Sequence, residues 1–204
     1  MAQAVGADLV GMGFAQLMPS SHPVDGSLFS GIWGSAETQV FVNKEGKRYV
    51  NEYAERDVLS KAALAQTDGI FYIICDNKIA KNADVAGMEA KGNVVVADTL
   101  EELAEKLGID AEGLKASVEQ YNADAAAGTE NAQVAAVPKR ALDAEGPYYG
   151  VRVEAANHMT KGGVVCNENA QVLNAAAPVT WQAGGYSESV CFGKVAGAQA
   201  AMAE

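Results

Sequence analysis

The stretch "GIFYIICD", Gly69 to Asp76, carries six apolar residues in an unbroken row. A strand with one wet face alternates apolar and polar residues. A continuous run of this length predicts a strand covered on both faces. Ahead of it, "TQVFVNKEGKRYVNE" sets two β-favouring runs about a polar "NKEG" turn, the pattern of a hairpin. Between them, Asp57 to Gln66 ("DVLSKAALAQ") reads as a helix with Val58, Leu59, Ala62 and Ala63 on one face. Beyond the strand, "TLEE" from Thr99 matches a capping box, with Leu100, Leu103 and Leu107 at helical spacing and Gly108 as the stop. Asp110 opens a second helix with Leu114, Val118 and Tyr121 inward. "AAAGTENAQVAAVPKRALDAEG" is expected to be a long surface loop. "PYYGVRVEAA" and "GGVVCNENAQVL" read as strands, the latter a hairpin about "NENA".

At the N-terminal side, "AQAVGADLVGMGFAQL" reads as the end of a helix, a Gly-Ala turn and a buried strand. "PSSHPVDGSLFSGIWG" reads as a loop crossing between layers. At the C-terminal side, Ser187 to Ala203 reads as a helix in which Gly193, Gly197 and Ala201 admit a close backbone. Helices and strands neither alternate strictly nor segregate, so the expected class is α+β, a mixed sheet with packed helices.

The 204 residues suffice for one domain with a real core, or a domain plus a small appendage. A formal charge of −11 argues against a nucleic-acid partner or an anionic membrane surface, both of which need clustered Lys and Arg. No apolar run approaches the roughly 20 residues of a membrane span, and no basic segment precedes an apolar one. The cytoplasm is therefore the default location. Cys75, Cys166 and Cys191 are far apart and form no CxxC pair, which predicts buried free thiols and no metal site.

Two histidines simplify the search for chemistry: His22 in "SSHP" and His158 in "NHMTKGG". Their separation fits no local metal motif, but both lie in Gly-, Ser- or Pro-flanked segments where backbone can approach a ligand. "TKGGVV" can offer successive N–H groups to an anion. GxSxG, HExxH, Walker and GxGxxG patterns are all missing; "GADLVGMG" has the wrong spacing and no helix after it. Arg48, beside the turn, is expected to be solvated or phosphate-facing. Arg56, taken alone, reads as a helix-start arginine paired with Glu52 or Asp57. Trp33 and Trp181 read as packing anchors.

Taken together, "FVNKEGKRYVNEYAERD" and the later "HMTKGGVV" resemble the flavoprotein fumarate reductase and succinate dehydrogenase flavoprotein family, which includes urocanate reductase and 3-ketosteroid dehydrogenases. "GADLVGMGFAQLMPSSHP" resembles the family segment entering the mobile capping (clamp) domain, and "PKRALDAEGPYYGVRV" the segment leaving it. "SESVCFGKVAGAQAA" is similar to the last helix of the FAD domain. The resemblance implies residues 1–20 as FAD-domain helix and strand, 21–157 as the capping and substrate domain, and 158–204 as a return to the FAD domain. It implies an oxidoreductase that reduces or forms a C=C bond beside a carboxylate or carbonyl. Arg56 would be the catalytic proton donor, resupplied by an acid such as Asp57, Glu55 or Glu37.

By the same resemblance, His22, His158 and Thr160 would hold substrate, and Gly162, Gly163 and Ser189 would lie at FAD. The N-terminal Gly-rich FAD fingerprint has no counterpart, so the chain would be inactive without an FAD-domain partner and would expose surface for that partner or for self-association. "APVTWQAGGYSES" lacks the family's further substrate arginine, and "WGSAETQ" lacks its relay acid and arginine. That pattern implies a monocarboxylate or enone substrate. The alternative expectation is a non-catalytic capping domain that binds a small acid or another chain.

Overall fold

A computed structural model describes residues 2–23, 25–26, 39–80, 84–169, 171–173, 193 and 195–198. The expectations for Trp33, Glu37, Trp181, Ser189 and Cys191 lie outside these residues, as does most of the expected terminal helix; 193 and 195–198 are helical. The chain divides into two compact units, Leu17–Ala156 and Met1–Gln16 with Asn157–Glu204.

The larger unit is built on the apolar run. Ile70–Asp76 forms a strand, here β4, buried at all seven positions. Its alternation sorts side chains to two cores. Phe71, Ile73 and Cys75 pack with Leu59 and Ala63 of helix α1 (Arg56–Leu64). Ile70, Tyr72 and Ile74 pack with Leu103 of α4 (Leu100–Leu107) and with Leu114, Val118 and Tyr121 of α5 (Ala111–Ala127). Each such side chain, fully buried, contributes about 1.5–3 kcal/mol of transfer free energy.

β4 pairs antiparallel with β3 (Gln39–Val42), Phe41 opposite Ile73, and with β6 (Tyr148–Thr160), Ile73 opposite Val151. β6 also pairs with β5 (Val95–Ala97) and neighbours β2 (Ala15–Ser21). Short helices α2 (Asn77–Ala80) and α3 (Val85–Ala90) complete the unit.

Local signals placed α4 and α5 well. Thr99 Oγ1 accepts the Glu102 N–H at 3.1 Å, Asp110 Oδ1 accepts the Gly113 N–H at 2.6 Å, and Gly108 ends α4. Glu102 reaches back to the Asp98 N–H, one residue before the cap. α1 buries Leu59 and Ala63, but Val58 is 46% exposed, because it sits a third of a turn off the face they define. The segment read as a surface loop also departs from expectation. Val134, Ala136 and Leu142 are buried, and Arg140 donates twice to the fully buried Asp76 carboxylate at 2.8–2.9 Å.

In the smaller unit, β1 (Leu9–Val10) pairs antiparallel with β7 (Gly163–Val164). The strand read here as buried is only two residues long, with Val10 38% exposed. Pro19, Ser20 and Ser21, read as loop, instead end β2. The "NENA" hairpin forms, with Cys166 bridged to Val172 and Asn167 N–H donating to Gln171 O. No helix among the described residues is long and apolar enough to cross a membrane.

Candidate active site

The approach to Arg56 begins at the turn Asn43–Gly46. Asn43 Oδ1 accepts the Lys47 N–H at 2.9 Å, and Gly46 adopts φ +68°. A side chain at Gly46 is excluded, since an added Cβ would come within 2.6 Å of the Gly113 carbonyl carbon in the first turn of α5. Ser117 Oγ holds the same turn by donating to Gly46 O at 2.6 Å. One bridge, Val42 to Arg48, follows, and the second strand of the expected hairpin does not form. Its residues serve another purpose.

Arg48, expected in solvent, turns inward and is 3% exposed. Its Nε and Nη2 each donate to Glu52 at 2.8 Å, its guanidinium carbon lies 5.0 Å from the Tyr121 ring centroid, and Nη1 is 4.0 Å from Asp124. Glu52 also accepts the Phe41 N–H of β3 at 3.4 Å. The planar fork of arginine matches a carboxylate two atoms to two, which offsets the desolvation of both charges. An i,i+4 Arg–Glu spacing was visible in "RYVNE", but nothing local told that it would be buried.

The loop after α5 pins the same segment. Asn51 Nδ2 donates to Ala135 O at 2.8 Å, Gln133 Nε2 donates to Arg48 O at 3.0 Å, and the Lys139 N–H donates to Tyr53 Oη at 3.1 Å. Arg56 then opens α1 as an exposed residue, after Glu55 at the N-cap. Of the two partners read for it, Glu52 engages Arg48, and Asp57 accepts from Lys61 Nζ at 3.2 Å. That hydrogen bond holds the Asp57 carboxyl below the ordinary carboxylate range.

His22 lies in the same unit, 6% exposed, just past the end of β2. Ser20 and Ser21 beside it are also buried, and Asp25 Oδ1 lies 3.5 Å from its Nδ1. His158, Thr160, Gly162 and Gly163 fall in the other unit. His158 is exposed, with Nδ1 3.2 Å from Gln16 Oε1; Thr160 ends β6, also exposed. Of the N–H groups offered by "TKGG", that of Lys161 is spent on Phe14 O at 2.8 Å. Gly162 meets the Gly11–Met12 backbone so closely that a Cβ would overlap it, whereas nothing lies within 4 Å of a Cβ built on Gly163.

A cavity of about 340 Å³ lies elsewhere in the larger unit, lined by Asp98, Glu101, Lys115, Glu119, Glu145 and neighbours. Four carboxylates make it a poor seat for an acid. Among the described residues no group of three or more His, Cys, Asp or Glu could hold a metal ion. Cys75 is a free thiol whose burial pushes its pKa well up, and Cys166 is free and half-buried.

Comparison with known proteins places this geometry in context. Residues 1–180 match a family described as FAD binding domain. An NADH:acrylate oxidoreductase of Vibrio harveyi is 38% identical, over 84% of this chain and 17% of its own length. A urocanate reductase of Eggerthella lenta is 33% identical, over 98% of this chain and 38% of its own. The open conformation of a flavocytochrome c3 fumarate reductase superposes with a TM-score of 0.75 and 31% identity, over 86% of this chain and 31% of that one. The chain thus spans well under half the length of each of these three proteins.

Proposed function

Because the chain belongs to the FAD binding domain family, we propose that it is the substrate-side portion of a flavin-dependent oxidoreductase acting on a C=C bond beside a carboxylate or carbonyl. Acrylate, urocanate and fumarate, named in the relatives, share an alkene conjugated to a carboxylate, which supports that substrate class. Residues 21–157 are the capping domain in this reading, and 1–20 with 158–204 are pieces of the FAD domain. FAD is the cofactor that family membership indicates.

The residues present fit the group only in part. Among the described residues no strand, glycine loop and helix follow one another as a dinucleotide grip requires. The edge at Gly163, with open space on its Cα, is where backbone can meet a flat ring. Flavin, when bound, supplies a hydride to one alkene carbon. Arg56 holds the proton for the other carbon. Its guanidinium is charged at every ordinary pH, so a neighbouring acid must return that proton at once; Asp57 and Glu55 flank it in sequence. His22, His158 and Thr160 bind the substrate oxygen on which negative charge develops, which stabilises the transition state.

The observation that carries this reading is that the backbone leading into Arg56 is anchored by the buried Arg48–Glu52 pair and the 131–139 loop. A side chain borne on an anchored backbone keeps its register toward a substrate. The test is Arg56→Ala with an FAD domain present and flavin bound, assayed with acrylate, urocanate and fumarate and a reduced dye. Turnover is expected to vanish while the flavin absorbance stays; wild-type turnover rejects the role. Met12 and Phe14, 57% and 68% exposed in the smaller unit, favour a covering partner, either an FAD domain or a second copy. Sedimentation of the purified chain checks this, and a colourless chain that takes up no FAD favours a non-catalytic capping domain.

A further inference from the structure

We propose that Asp25 is a positioning residue that fixes the tautomer and ring orientation of His22. The chain turns back immediately after β2, with the Gly26 N–H donating to His22 O at 2.9 Å. This turn returns the Asp25 carboxylate to the imidazole, Oδ1 lying 3.5 Å from Nδ1. Two lone pairs at that separation repel, so the contact is attractive only if Nδ1 carries the proton.

Asp25 is itself held. Asn93 Nδ2 donates to Asp25 Oδ2 at 3.3 Å, and Asn93 is 4% exposed where the chain enters β5. The Asn93 position is set by its own N–H, which donates to Met88 O at 2.8 Å behind α3. A buried amide therefore aims a carboxylate, and the carboxylate aims a buried imidazole. The arrangement joins β2, the turn after it and the approach to β5, elements some 70 residues apart in the chain.

The chemical consequence concerns the charge on the ring. With Nδ1–H directed at Asp25, a positively charged His22 is held beside a carboxylate that balances it. Any use of the ring on substrate rests on the proposed function above; the tautomer rests on the Nδ1–Asp25 contact.

The experiment is ¹⁵N NMR of the two histidines, separated by a His158→Gln variant. For His22, a protonated, pyrrole-type Nδ1 is expected in the neutral ring, whereas free histidine favours the proton on Nε2. Asp25→Ala should transfer that preference to Nε2 and leave His158 unchanged. Asp25 is 43% exposed at its side chain, so the truncation is tolerable. An Nε2–H form in the unaltered chain, or a tautomer indifferent to Asp25→Ala, overturns the assignment. Kinetics separate the two ideas. With an FAD domain present and flavin bound, Asp25→Ala should raise KM for acrylate roughly tenfold with a smaller change in kcat. A lost tautomer with unmoved KM removes His22 from the substrate site while leaving its pairing with Asp25 intact.

Discussion

Arg48 and Arg56 stand eight residues apart in one charged stretch, yet the structure treats them as opposites. Arg48 is enclosed by Glu52, Tyr121 and Asp124, and its removal would leave a carboxylate stranded in the core. Arg56 is exposed at the start of a helix whose first-turn acid, Asp57, accepts from Lys61. The contrast teaches that two arginines of one motif can meet opposite fates. One fixes the backbone, and the other is carried at the surface on the segment so fixed.

The comparison breaks most readily at Arg56. With an FAD domain present and flavin bound, Arg56→Lys should lower kcat by roughly 10²–10⁴-fold, the range for a positioned proton donor, while urea midpoints stay put. Equal losses of kcat and stability would erase the distinction. Next in size, Arg48→Met should cost about 3–5 kcal/mol of stability by urea denaturation, as expected when one partner of a buried pair is removed. The double variant Arg48→Met, Glu52→Leu should recover most of it; no recovery would mean that the pair itself is not what the core needs.

Gly46→Ala should cost about 1–3 kcal/mol, because the new Cβ strains a left-handed residue and pushes on α5. A neutral outcome would show that the turn is free to move away. The smallest effect belongs to the exposed pair. The Asp57 carboxyl is held below its ordinary value by Lys61, so any stability from this pair is present above the unfolded carboxylate pKa, about 3.9. It is lost as pH falls through the lower, folded value. Asp57→Asn should therefore shift the urea midpoint slightly at neutral pH and not at all in strong acid, where a persistent difference would point to another cause.

Much of the fold was legible. The run Ile70–Cys75 announced a doubly covered strand, and Thr99, Gly108 and Asp110 marked their helix ends, because each signal is read within a few residues. The helix at Arg56 was legible too, although Val58 was placed on the wrong face. The second half of the "NKEG" hairpin was not: Arg48 is held by Glu52 and Tyr121, Asn51 by the loop after α5, and Tyr49 and Val50 pack into the core. The motif residues could be named from resemblance, but the neighbours that meet them, Asp25 beside His22 and Asn93 beside Asp25, carried no signal.

The order of residues alone determined the strand at Ile70–Asp76 and the helix ends at Thr99, Gly108 and Asp110, since periodicity and caps act between near neighbours. Only tertiary structure decided which arginine is enclosed, which strand β3 joins and which loop reaches the core. Those outcomes depend on groups such as Asn51 and Ala135, 84 positions apart. Burial of a charge is settled by the partners that folding brings to it, and no local pattern records them.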